Sequence, residues 1–329
     1  MKKLFSIAAI LIVIATLFSM TVSAHPFTDV KNNAWYNEAV EYCYENNFVN
    51  GMTETKFGPS TTVNRAMVTT ILANMAQFYE DAYSGTSFPD VKENAWFAKY
   101  VQWAYKNGIT SGKGAKFEPM TAVTRQEMAM FLRNYAEFTG SDVTTKNNGA
   151  INGFSDASKV ASWAKDSMNW AVENGVLSGN ANGTLNPRGT ATRAELAVMI
   201  MNFDKKFNQF AEDITISAAF TDDMLLQRDE KCSVWGFADQ SQNGKIVKVE
   251  IDGHVAIARV NNGEWKATFS ETFPANKEGT SLWVIDGIEE REYKNITSIT
   301  VVLSWDDEVS LILPIIDVTV LIAVSKPIV

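Results

Sequence analysis

Three arginines occupy the same place in three similar stretches of the chain: Val63-Asn64-Arg65-Ala66-Met67, Val123-Thr124-Arg125-Gln126-Glu127 and Ala191-Thr192-Arg193-Ala194-Glu195. A guanidinium is permanently charged and presents its donors as a planar fork, which suits a carboxylate or phosphate. Its neighbours have a plainer explanation. Thr124 with Glu127, and Thr192 with Glu195, have the spacing of a capping box, in which hydroxyl and carboxylate satisfy the orphan amides of a helix start. Arginine has no such account, because a cation in the first turn opposes the helix dipole. Two readings stand. The arginines hold an anionic ligand, or each pairs with an internal acid, for which Asp29, Asp90 and Asp156 recur in step.

The elements that must position these side chains repeat as well, with the arginines 60 and 68 residues apart. Each unit opens on Phe-x-Asp (Phe27/Asp29, Phe88/Asp90, Phe154/Asp156). It continues through a tryptophan (Trp35, Trp96, Trp163), a glycine (Gly51, Gly112, Gly179) and a proline (Pro59, Pro119, Pro187) before the arginine. Self-similarity at this period means one supersecondary unit used three times. Trp35, Tyr36, Ala39, Val40, Cys43 and Tyr44 form one apolar stripe, repeated from Trp96 and from Trp163, which predicts an amphipathic helix in each unit. Asn46-Asn47, Asn107-Gly108 and Asn174-Gly175 stop it. A second helix starts at each arginine. Two short helices with one stripe each cannot bury themselves, so three pairs closing on a shared core predict an all-α pseudo-trimer. The tryptophans then belong to that core, or stack on a sugar face from its edge. Gly112 and Gly179 serve a tight turn, or let the backbone approach a ligand closely.

A net charge of −9 over 329 residues argues against a nucleic-acid partner, so an anionic ligand would need a few local cations. Lys2, Lys3, the apolar run from Leu4 to Phe18 and Val22-Ser23-Ala24 read as a secretory signal over residues 1–24. No membrane span is expected in the mature chain. Cys43 and Cys232 are too far apart in sequence to suggest a disulfide framework and read as two buried thiols. His25 and His254 have no neighbours suggesting catalysis, and no metal site or cofactor is expected.

With these motifs in view, residues 25–207 resemble three S-layer homology domains, at about 25–80, 86–139 and 152–207. The likeness rests on the Phe-x-Asp opening, the tryptophan, the Asn-Gly-x-x-x-Gly turn, the Phe/Leu-x-Pro and the Thr-Arg-Ala-Glu close. The resemblance implies a three-repeat spindle whose grooves bind secondary cell-wall polysaccharide, commonly through pyruvylated N-acetylmannosamine. It implies that Arg65, Arg125 and Arg193 meet the anionic sugar while Trp35, Trp96, Gly112 and Gly179 line the grooves. Asn64 and Met67 depart from the pattern, and the third unit has Ala157 and one extra residue before Trp163. Two tight grooves rather than three are therefore expected.

From Ile214 the period changes to two. Val247, Val249 and Ile251 alternate with charged residues, and Asp252-Gly253 and Asn262-Gly263 are hairpin dipeptides. Further strands are predicted at 232–237, 265–269 and 282–285. This makes the chain α+β by separate domains, with a small antiparallel β-sandwich at 214–303 and an apolar tail at 304–329. Phe220 to Asp229, Val234-Trp235-Gly236 and Gly263-Glu264-Trp265 resemble the leading β-domain of sialate O-acetylesterase-like enzymes. The nucleophile motif of the catalytic domain that follows in that family is absent. The expected protein is an exported, non-enzymatic surface protein anchored to the wall polymer. A truncated wall-anchored O-acetylesterase and a structural lattice subunit are the alternatives.

Overall fold

The predicted stripes become three helix pairs in the computed structural model. It describes residues 25–312 apart from positions 79, 222–224, 228–230, 253, 274–275, 286–289, 300–301 and 306–308. The signal expected at 1–24 and most of the apolar tail lie outside the described residues. The pairs are α1 (Asn37–Glu45) with α2 (Arg65–Ala76), α3 (Ala98–Lys106) with α4 (Arg125–Phe138), and α5 (Lys165–Glu173) with α6 (Arg193–Phe207). Asn47, Gly108 and Gly175 follow the first helix of each pair at φ of 58°, 73° and 71°. The left-handed residue that ends a helix is thus found at the Asn or Gly of each stop. Thr124 and Thr192 form complete capping boxes with Glu127 and Glu195, and Asn64 accepts the Met67 amide in their place.

One expectation about the stripe needs correction. Trp35, Trp96 and Trp163 each stand two residues before their helix and are 69%, 60% and 54% exposed, so they are not part of the core. The buried stripe of α1 is Ala39, Val40 and Cys43. Both cysteines are buried thiols, and burial pushes each up to about 12.

The pairs do not close on themselves. Helix α3 packs on α2, α5 on α4, and α1 on α6, so the first helix of each unit lies on the second helix of the unit before it in a cycle. Leu72, Leu132, Tyr135, Trp170 and Phe203 fill the shared core. At its centre the residues ahead of each second helix hydrogen-bond in a ring. The Val63 amide donates to Ala191 O at 2.9 Å, that of Ala191 to Val123 O at 3.0 Å, and that of Val123 to Val63 O at 2.9 Å.

The second unit is β. A five-stranded sheet runs β2 (Leu225–Gln227), β8 (Glu290–Ile299), β7 (Asn276–Ile285), β4 (Ile246–Ile251), β5 (His254–Arg259). A three-stranded sheet runs β1 (Thr215–Ile216), β3 (Lys231–Phe237), β6 (Glu264–Thr272). A hairpin of β9 (Val302–Trp305) and β10 (Val309–Ile312) follows. Pairing is antiparallel as expected, except that β2 runs parallel to β8. Asn262 and Gly263 turn at φ of 52° and 79°, which suits a hairpin of the primed type. Val247, Val249 and Ile251 of β4 bury against a core that includes Val234, Trp265 and Phe269.

Arg259 of β5 joins the two units. It donates to Phe207 O at the end of α6, to Thr139 Oγ1 past the end of α4, and to Gly244 O within the β-unit. A cation at two helix C-termini complements both dipoles. Burial pulls its pKa down to about 10, the nearby Tyr135 opposing this only in part. We expect Arg259→Ala to uncouple the units. Differential scanning calorimetry should resolve two transitions for the variant, and protease cleavage in 208–213 should become faster.

Candidate functional site at the repeat junctions

All three arginines are buried, with 1%, 4% and 7% of Arg65, Arg125 and Arg193 exposed. Each guanidinium crosses to the loop of the next unit. Nε of Arg65 donates to Phe117 O at 2.7 Å, that of Arg125 to Leu185 O at 2.8 Å, and that of Arg193 to Phe57 O at 2.8 Å. Nη2 of Arg125 reaches Ser178 O and that of Arg193 reaches Asn50 O. The corresponding loop in the second unit turns differently. Gly112 has φ of 78°, a conformation that Gly51 and Gly179 do not share, and Arg65 Nη2 stays buried without a hydrogen-bond partner. The Arg65 and Arg193 guanidiniums also lie over the Phe117 and Phe57 rings at 4.8 and 4.4 Å.

The acids hold loop amides. Asp29 accepts the amides of Phe57 and Gly58, Asp90 those of Phe117 and Glu118, and Asp156 those of Leu185 and Asn186. Among the described residues no Asp of the Phe-x-Asp motif forms an ion pair with an arginine of the junctions. Instead, Asp and Arg hold one loop residue from opposite sides. Phe57, for example, gives its N–H to Asp29 of its own unit and its carbonyl to Arg193 of another.

The helix starts are occupied as well. The Arg65 and Ala66 amides donate to Thr121 O and Pro119 O, those of Arg125 and Gln126 to Gly189 O and Pro187 O, and those of Arg193 and Ala194 to Thr61 O and Pro59 O. The third amide is taken by the cap. These first-turn donors are therefore engaged within the protein, and any anion must be met by side chains.

Carboxylates approach two of the three arginines. Glu195 lies 3.1 Å from Arg125, and Glu127 lies 3.9 Å from Arg65 while pairing with Lys113 at 2.9 Å. Burial lowers the pKa of each arginine. Glu127 opposes that shift at Arg65 and Glu195 at Arg125, whereas at Arg193 the opposing charge is Asp29.

The glycines predicted to line a ligand groove face an aromatic ring. A Cβ on Gly112 would come within 2.5 Å of the Phe88 ring, and one on Gly179 within 2.1 Å of the Phe154 ring. Close approach is required, and the approaching group is the phenylalanine of the same unit's opening motif. Trp35 and Trp96 stack edge-on against Tyr36 and Phe97, and among the described residues no hydrogen bond or ring contact joins them to the arginines. On the β-unit, Trp235, Phe237, Asn261, Glu264 and Lys266 border an open cleft of about 600 Å³. No group of three or more His, Cys, Asp or Glu suited to a metal occurs among the described residues.

Comparison with known proteins identifies the repeats. Residues 26–66, 87–129 and 153–197 each match the S-layer homology domain, so the chain carries three such domains. It is 36% identical over 183 residues to an exoglucanase of Acetivibrio thermocellus, covering 55% of this chain and 16% of the relative. It is 32% identical over 203 residues to the surface-layer 125 kDa protein of Lysinibacillus sphaericus, covering 60% and 16%. With an S-layer protein of Bacillus anthracis it shares 29% over 196 residues, covering 59% and 23%. The chain thus spans less than a quarter of the length of these relatives. A carbohydrate acetylesterase from Xanthomonas citri matches at TM-score 0.24 and 23% identity over 26% of this chain and 19% of that one, too slight a likeness to carry an argument. The three domains and the S-layer relatives mark an exported, cell-wall-associated surface protein. Among the described residues no helix is long and apolar enough to cross a membrane.

Two outcomes follow from this geometry. Burial works against ionisation of Asp29, Asp90 and Glu127, but the backbone amides they accept outweigh it and hold all three below the usual carboxylate range, with Lys113 adding to the effect at Glu127. A folded pKa below the unfolded one means the unfolded chain binds more protons on acidification. Stability present at neutral pH should therefore be lost as pH falls below the ordinary carboxylate range, through the folded values. Melting temperatures from pH 7 to 3 should drop steeply for the natural protein and less steeply for Asp90→Asn. Gly179→Ala should cost about 1–3 kcal/mol, as overpacking does, and urea unfolding measures it.

Proposed function

We propose that the three repeats form a pseudo-trimeric spindle that holds the protein non-covalently to an anionic secondary cell-wall polysaccharide of the pyruvylated N-acetylmannosamine type. A non-catalytic β-sandwich is displayed outward. In this reading the signal over 1–24, the repeats at 25–80, 86–139 and 152–207 and the β-unit at 214–303 follow one another along the chain. The observation that carries it is the recurrence, at each junction of three S-layer homology domains, of a buried guanidinium fixed beside an exposed loop. A pyruvate ketal supplies a carboxylate, the natural partner of such a group. Trp35 and Trp96, exposed two residues before the first helix of their units, offer faces on which sugar rings stack. Arg65, Arg125 and Arg193 supply the charge, and Gly112 and Gly179 line the loops beside them. If the polymer repeats the epitope, several weak grooves in one body gain avidity.

The test is co-sedimentation of the protein with purified wall sacculi before and after chemical removal of the secondary polymer. Binding should be strong to intact walls, fall at least tenfold on stripped walls, and fall similarly on walls lacking the pyruvate ketal. Equal binding to intact and stripped walls would overturn the reading.

A further inference from the structure

The three junctions share their helix-start hydrogen bonds and differ in charge. At each, the second helix's arginine lies under the loop of the next unit, and the third residue of that next unit's second helix stands opposite. Arg65 faces Glu127 in this way, and Arg125 faces Glu195. The same cyclic relation sets Met67 opposite Arg193, since the Arg193 and Ala194 amides bond Thr61 O and Pro59 O just as Arg125 and Gln126 bond Gly189 O and Pro187 O. Each of the three junctions also holds one Phe-x-Asp carboxylate, already engaged by two loop amides. The junction between the third and first units therefore lacks the glutamate that the other two hold, which at the Arg125 junction pairs with the arginine and at the Arg65 junction is shared with Lys113. Its arginine is 7% exposed, has carbonyls as its recorded hydrogen-bond partners, and makes no ion pair among the described residues.

We propose that the anionic sugar is bound preferentially at the Arg193 junction, because there the ligand's carboxylate takes the place that Glu127 and Glu195 fill in the others. This rests on the wall-binding reading above and adds to it which groove is used and what selects it. At the Arg65 and Arg125 junctions an incoming carboxylate must displace, or sit beside, a carboxylate already present, and like charges at short range repel. At the Arg193 junction the buried cation lacks this partner. Asp29, engaged by two amides, is the one carboxylate opposing it, and a buried charge that is incompletely paired is costly, so a ligand that supplies a carboxylate gains what the protein has not already used. The departure at position 67, which suggests from sequence a weakened first repeat, thus opens the groove.

Met67→Glu is the direct test. Met67 is half-buried at the third position of α2, where Asn64 already caps its amide, so a glutamate there completes the cap and pairs with Arg193. The full chain carrying Met67→Glu should melt no lower than the natural protein, which establishes that it is folded. Calorimetric titration with a pyruvylated N-acetylmannosamine glycoside should show affinity reduced roughly ten- to hundredfold, the range for one charge-assisted hydrogen bond. Glu195→Met, which removes the carboxylate from the Arg125 junction, should add a second binding equivalent. Unchanged affinity in Met67→Glu, with the natural protein still sedimenting on intact walls, would overturn this assignment and leave the anchoring reading intact. Failure of the natural protein to sediment would overturn the anchoring reading itself.

Discussion

The structure of the repeat unit depends on a shared loop residue. In each loop one residue donates its N–H to the aspartate of its own unit and offers its carbonyl to the arginine of another, so the loop is formed only when two units are present. The helices obey the same rule, because each first helix packs on the second helix of the preceding unit. A single repeat would leave an apolar stripe, several carbonyls and a guanidinium without partners, each a penalty of kilocalories. Three is the number at which the cycle closes. The closing bond, from the Val63 amide to Ala191 O, joins residues far apart in sequence yet equivalent in the repeat.

This explains why an arginine is tolerated at a position the helix dipole disfavours. Its charge does not rest against the amides of its own helix start, which are turned to the carbonyls of the neighbouring Pro turn. The fork instead gathers carbonyls from a loop that approaches end-on, over an aromatic ring in the first and third cases. A lysine, with one point charge, could not hold two carbonyls and a carboxylate in the plane that Arg125 does. Structural closure and charge presentation are thus assigned to the same side chain.

Much of this was legible in the sequence, and the rest was not for identifiable reasons. Local rules carried the caps at Thr124 and Thr192, the left-handed stops at Gly108 and Gly175, and the strand alternation of Val247, Val249 and Ile251, because each depends on residues within a few positions. The partners of the arginines lie 52, 60 and 136 residues away and are backbone carbonyls, which carry no residue-type signal. The partners of the aspartates are hidden for the same reason, since they are amides. The tryptophans share the spacing of the stripe, but each precedes its α-helix, Trp163 within a 3-10 turn, where the α-helical period does not yet apply. Strands β1, β2 and β8 to β10 went unread. Among them, Glu290–Ile299 opens on three charged residues in succession and its aliphatic residues, Ile296 and Ile299, stand three apart, so no period of two shows.

In the proposed function the cation that meets the ligand sits inside the interlock, and this has a thermodynamic consequence. A ligand that binds the closed ring and not the open chain stabilises the ring by mass action, in proportion to its concentration over its dissociation constant. At the junctions where Glu127 and Glu195 are present, the protein supplies its own counter-charge and the ring is held without ligand. At the Arg193 junction no glutamate stands opposite, and Asp29, already engaged by two loop amides, is the carboxylate that opposes the cation. The same residue that closes the cycle between its last and first units is then the one whose burial an anion most improves. In such an arrangement attachment to the wall and consolidation of the fold are one equilibrium. The junction between third and first units, which has no covalent link of its own, is the place where that coupling has the largest effect.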